Sequence, residues 1–169
     1  MKKIAFIVWN YTVTGGIERV LTNLANELCD YYNVHIISLT KSGDRVPYKI
    51  DERVNRVYFA TDEPLRGREV IKKGGKGVRR YIKDNEIDTV LLMGFQSSMP
   101  AIAMLKFRSR TRLIFCEHEA LMSRWHEKKI TLVRFISALL SKKTVTLTKA
   151  TAEAYRKISF IRKKGYQYL

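Results

Sequence analysis

The chain predicts an α/β fold of the Rossmann-like kind: a doubly wound, mostly parallel sheet with helices on both faces. Three observations carry that expectation. Short, continuous runs rich in Val, Ile and Leu alternate with helical patterns along the whole chain, as strands buried on both faces do. The first run passes through a polar loop and a glycine pair straight into an amphipathic helix, the corner at which such sheets bind ligands. The composition, 46% hydrophobic and 28% charged over 169 residues, suits one domain with an ordinary core.

The expected strands are residues 3–9, 34–39, 54–59, 88–93, 112–116 and 144–147, and the expected helices 17–31, 65–85, 97–106, 125–141 and 151–157. The first helix places Ile17, Val20, Leu21, Leu24, Ala25 and Leu28 on one face at spacings of three and four. Residues 40–53 carry Gly, Pro and mixed charge and read as an irregular excursion, and Asp62-Glu63-Pro64 as the entry to the second helix. There Ile71, Gly75, Val78 and Ile82 form a narrow apolar stripe, leaving Lys72, Lys73, Lys76, Arg79, Arg80 and Lys83 to solvent. Each internal glycine of Lys73-Gly74-Gly75-Lys76-Gly77 costs about 1 kcal/mol against Ala, so this helix is expected to fray or to split in two. The fourth helix carries a stripe of Leu132, Val133, Ile136, Leu139 and Leu140. That stripe suits packing on the sheet. The basic rim of Arg124, Lys128, Lys129, Arg134, Lys142 and Lys143, with Trp125 at the amino end, suits an anionic membrane surface.

Candidate functional residues fall in the loops after strands one, four and five, which a doubly wound sheet gathers on one edge. Gly15 and Gly16 lie where the first amides of a helix lack acceptors and the dipole is positive. Without Cβ atoms they admit a phosphate to the main chain, or they simply make a tight turn. After strand four, Ser97 and Ser98 fit a helix cap and Gln96 fits a sugar hydroxyl. After strand five, His118 stands between Glu117 and Glu119. Flanking carboxylates are expected to raise its affinity for a proton and to fix its tautomer. His35 and His126 lack ligand spacing, and no metal site is expected. Neither a GxSxG elbow nor a Walker loop is present.

Two cysteines without a framework and an apolar opening that stops at Asn10 predict a cytoplasmic, reducing setting rather than a secreted one. Thirty-two Lys and Arg against 16 Asp and Glu, net +16, call for an anionic partner: lipid, nucleic acid or a phosphorylated substrate. A basic nucleic-acid-binding or protein-interaction module is the alternative reading. Zinc-finger spacing, an RNP motif and an aromatic platform are all missing from the sequence.

Thr14-Gly15-Gly16-Ile17-Glu18-Arg19-Val20-Leu21-Thr22-Asn23-Leu24-Ala25 resembles the GG-x-E-R-x-x-x-x-L-A opening of family 4 glycosyltransferases. Thr146-Leu147-Thr148-Lys149-Ala150 is similar to the strand-to-helix stretch that ends their first domain, and Glu117-His118-Glu119 to their histidine-bearing turn. The resemblance implies one half of a GT-B fold: residues 1–169 as the acceptor-side domain of a retaining enzyme that needs no metal. A nucleotide-sugar is then the co-substrate, and a lipid-linked or cell-envelope glycan the acceptor. Gly15 and Gly16 would meet the donor diphosphate and His118 the transferred sugar. Gln96, Ser97, Glu117 and Glu119 would lie near the acceptor or sugar. Attachment to the inner face of a membrane is implied for several members, here through Arg124, Trp125, Lys128 and Lys129. The donor-binding second domain and its paired glutamates are missing from the sequence, and Arg162-Lys163-Lys164-Gly165-Tyr166-Gln167 departs from the usual asparagine-glycine junction. The chain is accordingly expected to be catalytically incomplete alone, with no nucleic-acid partner.

Overall fold

A period of two decides how the first strand, β1 (Lys3–Asn10), is buried. Ile4, Phe6 and Val8 enter one hydrophobic cluster, while Ala5 and Ile7 enter another on the opposite face. The same division runs through β2 (Asn33–Thr40), where Val34 and Ile36 oppose Ile37 and Leu39. The computed structural model describes residues 1–59, 66–106, 110–157 and 166–168. The remaining strands are β3 (Asn55–Tyr58), β4 (Thr89–Met93), β5 (Arg112–Glu117), β6 (Lys143–Thr146) and β7 (Tyr166–Tyr168). All pairs are parallel, in the order β3-β2-β1-β4-β5-β6-β7. The order reverses between β1 and β4, and ligands of doubly wound sheets bind at that crevice.

The helices are α1 (Gly16–Leu28), α2 (Gly67–Asp84), α3 (Gly94–Leu105), α4 (Lys128–Leu140) and α5 (Lys149–Arg156), with a 3-10 turn at Leu121–Arg124. α1 packs Leu21 and Ala25 on one face, and residues from α2, α3, α4 and α5 enter the cluster on the other. The coverage is therefore unequal. Leu91 and Ile114 stay half-buried beside α1 and line a cavity of 980 Å³ at the amino ends of the strands.

Three expectations are corrected. α2 is one unbroken helix whose buried face is Val70, Gly74, Gly75, Val78 and Ile82. Its glycines admit neighbours: a Cβ on Gly74 would stand 3.4 Å from Phe59 Cβ, and one on Gly77 2.7 Å from Phe59 Cδ1. Close approach to the end of β3 thus offsets the propensity cost. The entry at Asp62-Glu63-Pro64 lies outside the described residues.

Second, α3 begins at Gly94, directly after β4. A φ of 76° at Gly94 turns the chain from strand to helix without a loop. Ser97 and Ser98 are consequently inside the helix, fully buried, rather than at its cap.

Third, α4 is rotated from the expected stripe: Arg134, expected on the basic rim, is buried, while Leu140 of the stripe still packs against the core. Its buried residues are Thr131, Arg134, Ser137 and Ala138, while Leu132 is 58% and Leu139 40% exposed. Two contacts select this face. Arg134 reaches the end of β5 through Glu117, and the Ser137 hydroxyl meets that of Ser98 on α3 at 2.7 Å.

Candidate functional site

Three corners meet along the carboxyl edge of the sheet. The first follows β1. Asn10 Oδ1 accepts from the Thr12 amide at 2.9 Å and its hydroxyl at 2.7 Å, and Asn10 Nδ2 donates to Ser42 at 2.8 Å. The Tyr11 amide donates to Ser38 Oγ, and the Tyr48 hydroxyl donates to the Gly15 carbonyl at 3.0 Å. These neutral bonds hold the loop and leave its tip outside: Thr14 and Gly16 are exposed.

The amino end of α1 is open at Gly16, where a Cβ would meet nothing within 4 Å. No side chain caps it from Gly15, whose backbone is extended. The seat is partly shared, however. The Glu18 carboxylate folds back against Gly15, where a Cβ would collide with it. Glu18 is buried, and desolvation raises its carboxyl above the ordinary range while its own backbone N–H opposes that shift. An anion at this corner would therefore engage the Gly16 side of the helix start, with Glu18 as a neighbour.

The second corner joins β4 to α3. A Cβ on Gly94 would stand 3.0 Å from Ile17 Cδ1, so the first turns of α3 and α1 lie against each other across the switch point. Gln96 is exposed. Ser97 is not: its hydroxyl donates to the Met93 carbonyl at 2.7 Å, and Ser98 Oγ reaches the Phe95 carbonyl at 2.9 Å. Their hydroxyls are committed to the helix. Sequence reasoning missed Gly94, for which the signal was a glycine at the exact end of an apolar run.

The third corner follows β5. Glu117 does not face the edge; it points inward, 2% exposed, into a cluster with Arg134 and Tyr155, both fully buried. Arg134 Nε donates to Glu117 Oε2 at 2.5 Å, and the Tyr155 hydroxyl donates to the same oxygen at 2.7 Å. Arg134 Nη2 also donates to the Glu119 carbonyl at 3.0 Å, and the Glu119 amide to Glu117 Oε1 at 3.2 Å. Glu119 Oε2 and His118 Nε2 are buried without a hydrogen-bond partner.

The expected rise in the proton affinity of His118 is reversed. Burial pushes its imidazole down to about 4. The reason is visible: the Glu117 charge is spent on Arg134 and Tyr155, so desolvation dominates. At neutral pH His118 is an uncharged imidazole with one buried ring nitrogen to offer, suited to a hydrogen bond with an incoming ligand and unsuited to an ionic contact.

Beyond this turn, Arg124 is held by Glu127 at 2.6 and 3.1 Å and lies 5.5 Å over the Phe95 ring, tying the 3-10 turn to α3. Trp125, Lys128 and Lys129 are exposed beside Leu132. Thr148 caps α5, accepting from the Thr151 amide at 3.2 Å. Among the described residues no group of three or more His, Cys, Asp and Glu is placed to hold a metal.

The sequence profile of Glycosyltransferase Family 4 matches residues 14–164. The chain belongs to that family. A Haemophilus influenzae protein described as an uncharacterized glycosyltransferase is 29% identical over 152 residues, covering 89% of this chain and 42% of its own length. Among solved structures, the Anabaena protein HepE in complex with UDP-glucose superposes with a TM-score of 0.70 at 16% identity, covering 100% of this chain and 43% of its own. The lipopolysaccharide outer core galactosyltransferase WaaB, in apo form, gives 0.64 at 16% identity over 89% of this chain and 41% of its own. The fold is thus that of GT-B glycosyltransferase domains, and the chain spans less than half the length of these relatives.

Proposed function

We propose that this chain forms the acceptor-side half of a retaining glycosyltransferase that moves a sugar from a nucleotide-sugar donor to a lipid-linked or cell-envelope glycan. The observation that carries the reading is the carboxyl edge itself. An open helix start at Gly16, a second helix start at Gly94 and an orphaned, uncharged His118 nitrogen lie on one side of the switch point. In this reading the Gly15–Gly16 amides meet the donor diphosphate, whose charge suits the positive end of α1. His118 accepts or donates one hydrogen bond with a hydroxyl of the transferred sugar, and exposed Gln96 reaches the sugar or acceptor. Glu117 and Ser97 act from behind the surface. The UDP-glucose in the HepE structure supports a sugar nucleotide as donor, and the WaaB description supports an envelope glycan as acceptor.

Catalysis then needs a donor-binding partner domain, because the transition state is stabilised by groups preorganised on both sides of a cleft. The test is a titration of the isotope-labelled chain with UDP-glucose, UDP and inorganic pyrophosphate. Amide shifts confined to residues 14–17, 94–96 and 118 are the expected result. Shifts scattered over surface lysines, or absent at 15 and 16, would refute the assignment.

The same reading places the protein on the cytoplasmic face of a membrane. Exposed Trp125, Leu132 and Leu139 lie among Lys128, Lys129, Lys142 and Lys143, a mixed apolar and basic surface matched to anionic lipid. No described helix is long and apolar enough to cross a membrane. Each lysine replaced by glutamine should weaken sedimentation with phosphatidylglycerol vesicles by about 1 kcal/mol. Equal binding to phosphatidylcholine vesicles would argue against this surface.

A further inference from the structure

Glu117, Arg134 and Tyr155 come from β5, α4 and α5, three elements that meet behind the carboxyl edge. Buried charge of this kind is costly, and an apolar trio of similar volume is often as stable or more so. Its placement is specific. Arg134 grips the side chain of residue 117 and the carbonyl of residue 119 with separate nitrogens, so the single residue between the two grips is His118. The Glu119 amide closes the same turn onto Glu117 Oε1. Both flanks of His118 are thereby fixed to a guanidinium that is fully buried.

We propose that Arg134 is a positioning residue: through Glu117 and the Glu119 carbonyl it holds the 117–119 turn so that the His118 ring is kept desolvated at the edge of the sheet. Tyr155 completes the cluster by donating to Glu117 Oε2, which fixes the direction of that carboxylate. A planar fork is required, because a lysine ammonium is a point charge and cannot span both acceptors in the same way. The proposal deepens the reading of His118 as a sugar contact and rests on that reading for its functional meaning. Its test does not use glycosyl transfer, so the two can fail separately.

The measurement is the titration of the His118 ring by NMR in the full chain. The charged groups of the turn are Glu117 and Glu119, which flank His118 in sequence; Arg134 meets the first, and Arg124 lies 3.9 Å from the second. Burial holds His118 down to about 4 in the wild type, against 6.5 for an ordinary histidine. In the triple variant Glu117→Leu, Arg134→Met, Tyr155→Phe the cluster is apolar, and a replacement of this kind often keeps the fold. His118 should then titrate close to 6.5. A folded triple variant in which His118 still titrates near 4 would overturn the proposal. Should that variant not fold, Arg134→Lys keeps the buried charge and loses the second grip. An upward move of His118 in it supports the proposal, and an unchanged titration overturns it.

Discussion

Two corners of one sheet edge are built by opposite means. The loop after β1 is held by neutral hydrogen bonds among Asn10, Tyr11, Thr12, Ser38 and Ser42, and its tip at Thr14–Gly16 is left to solvent. The turn after β5 is held by a buried ion pair, with Arg134 and Glu117 both removed from water. Neutral bonds contribute about 1 kcal/mol each and lose little individually. A buried charge is different: removing its partner strands it. The α1 corner is therefore tolerant and exposed, the β5 corner rigid and fragile.

That difference predicts the largest single effect. Arg134→Met alone leaves the Glu117 carboxylate buried without its cation and should cost about 3–5 kcal/mol in urea unfolding. A loss under 1 kcal/mol would mean the carboxylate finds water, and the contrast between the corners would collapse.

Acid should act on the β5 corner next. Folded His118 titrates at about 4 and unfolded histidine at 6.5, so between these values the unfolded chain binds the extra proton. The corresponding stability is whole above pH 6.5 and drains away as pH falls to about 4. After allowance for the partial exposure of the ring it amounts to about 2 kcal/mol. His35 is also lowered by burial and adds in the same direction. His118→Asn should flatten part of this pH dependence and leave the His35 part. An identical slope in the variant would show that His118 is not desolvated.

A matched pair of tyrosines sharpens the comparison at smaller scale. The Tyr11 hydroxyl meets Thr22 Oγ1 at 2.8 Å, and Thr22 in turn donates to the Glu18 carbonyl, so Tyr11 is the donor in a neutral bond. Tyr155 donates to a carboxylate. Tyr155→Phe should cost about 1.5–3 kcal/mol and Tyr11→Phe about 1 kcal/mol by denaturant midpoint. Equal losses would remove the distinction between charged and neutral anchoring.

The strands were legible because runs such as Ile4–Val8 are apolar on both faces, as a parallel sheet covered by helices requires. β7 was not, since Tyr166–Tyr168 is three residues long in a basic stretch without an apolar run. In α4 the period was legible but its orientation was not: Leu132 and Leu139 make the better apolar stripe, yet contacts 17 and 39 residues away in sequence turn Arg134 and Ser137 inward. His118 failed for a related reason. The sequence shows two carboxylates beside it, and only the fold shows that one of them points away to Arg134. Gly15 and Gly16 were read together, though the structure separates them, Gly15 facing Glu18 and Gly16 facing open space.

The smallest effect separates folding from binding at the open corner. Gly16 begins α1 without a left-handed backbone, and a methyl group there would touch nothing. Gly16→Ala should therefore stabilise the chain by about 0.5 kcal/mol by restricting the unfolded state. The same methyl group would stand in the seat proposed for the diphosphate, so the amide shifts induced by UDP-glucose at residues 14–17 should weaken. Opposite signs for stability and binding are what a glycine kept for ligand access predicts. A variant that gains stability and binds UDP-glucose as well as before would show that Gly16 only turns the chain, and that an anion at this edge, if bound, sits elsewhere.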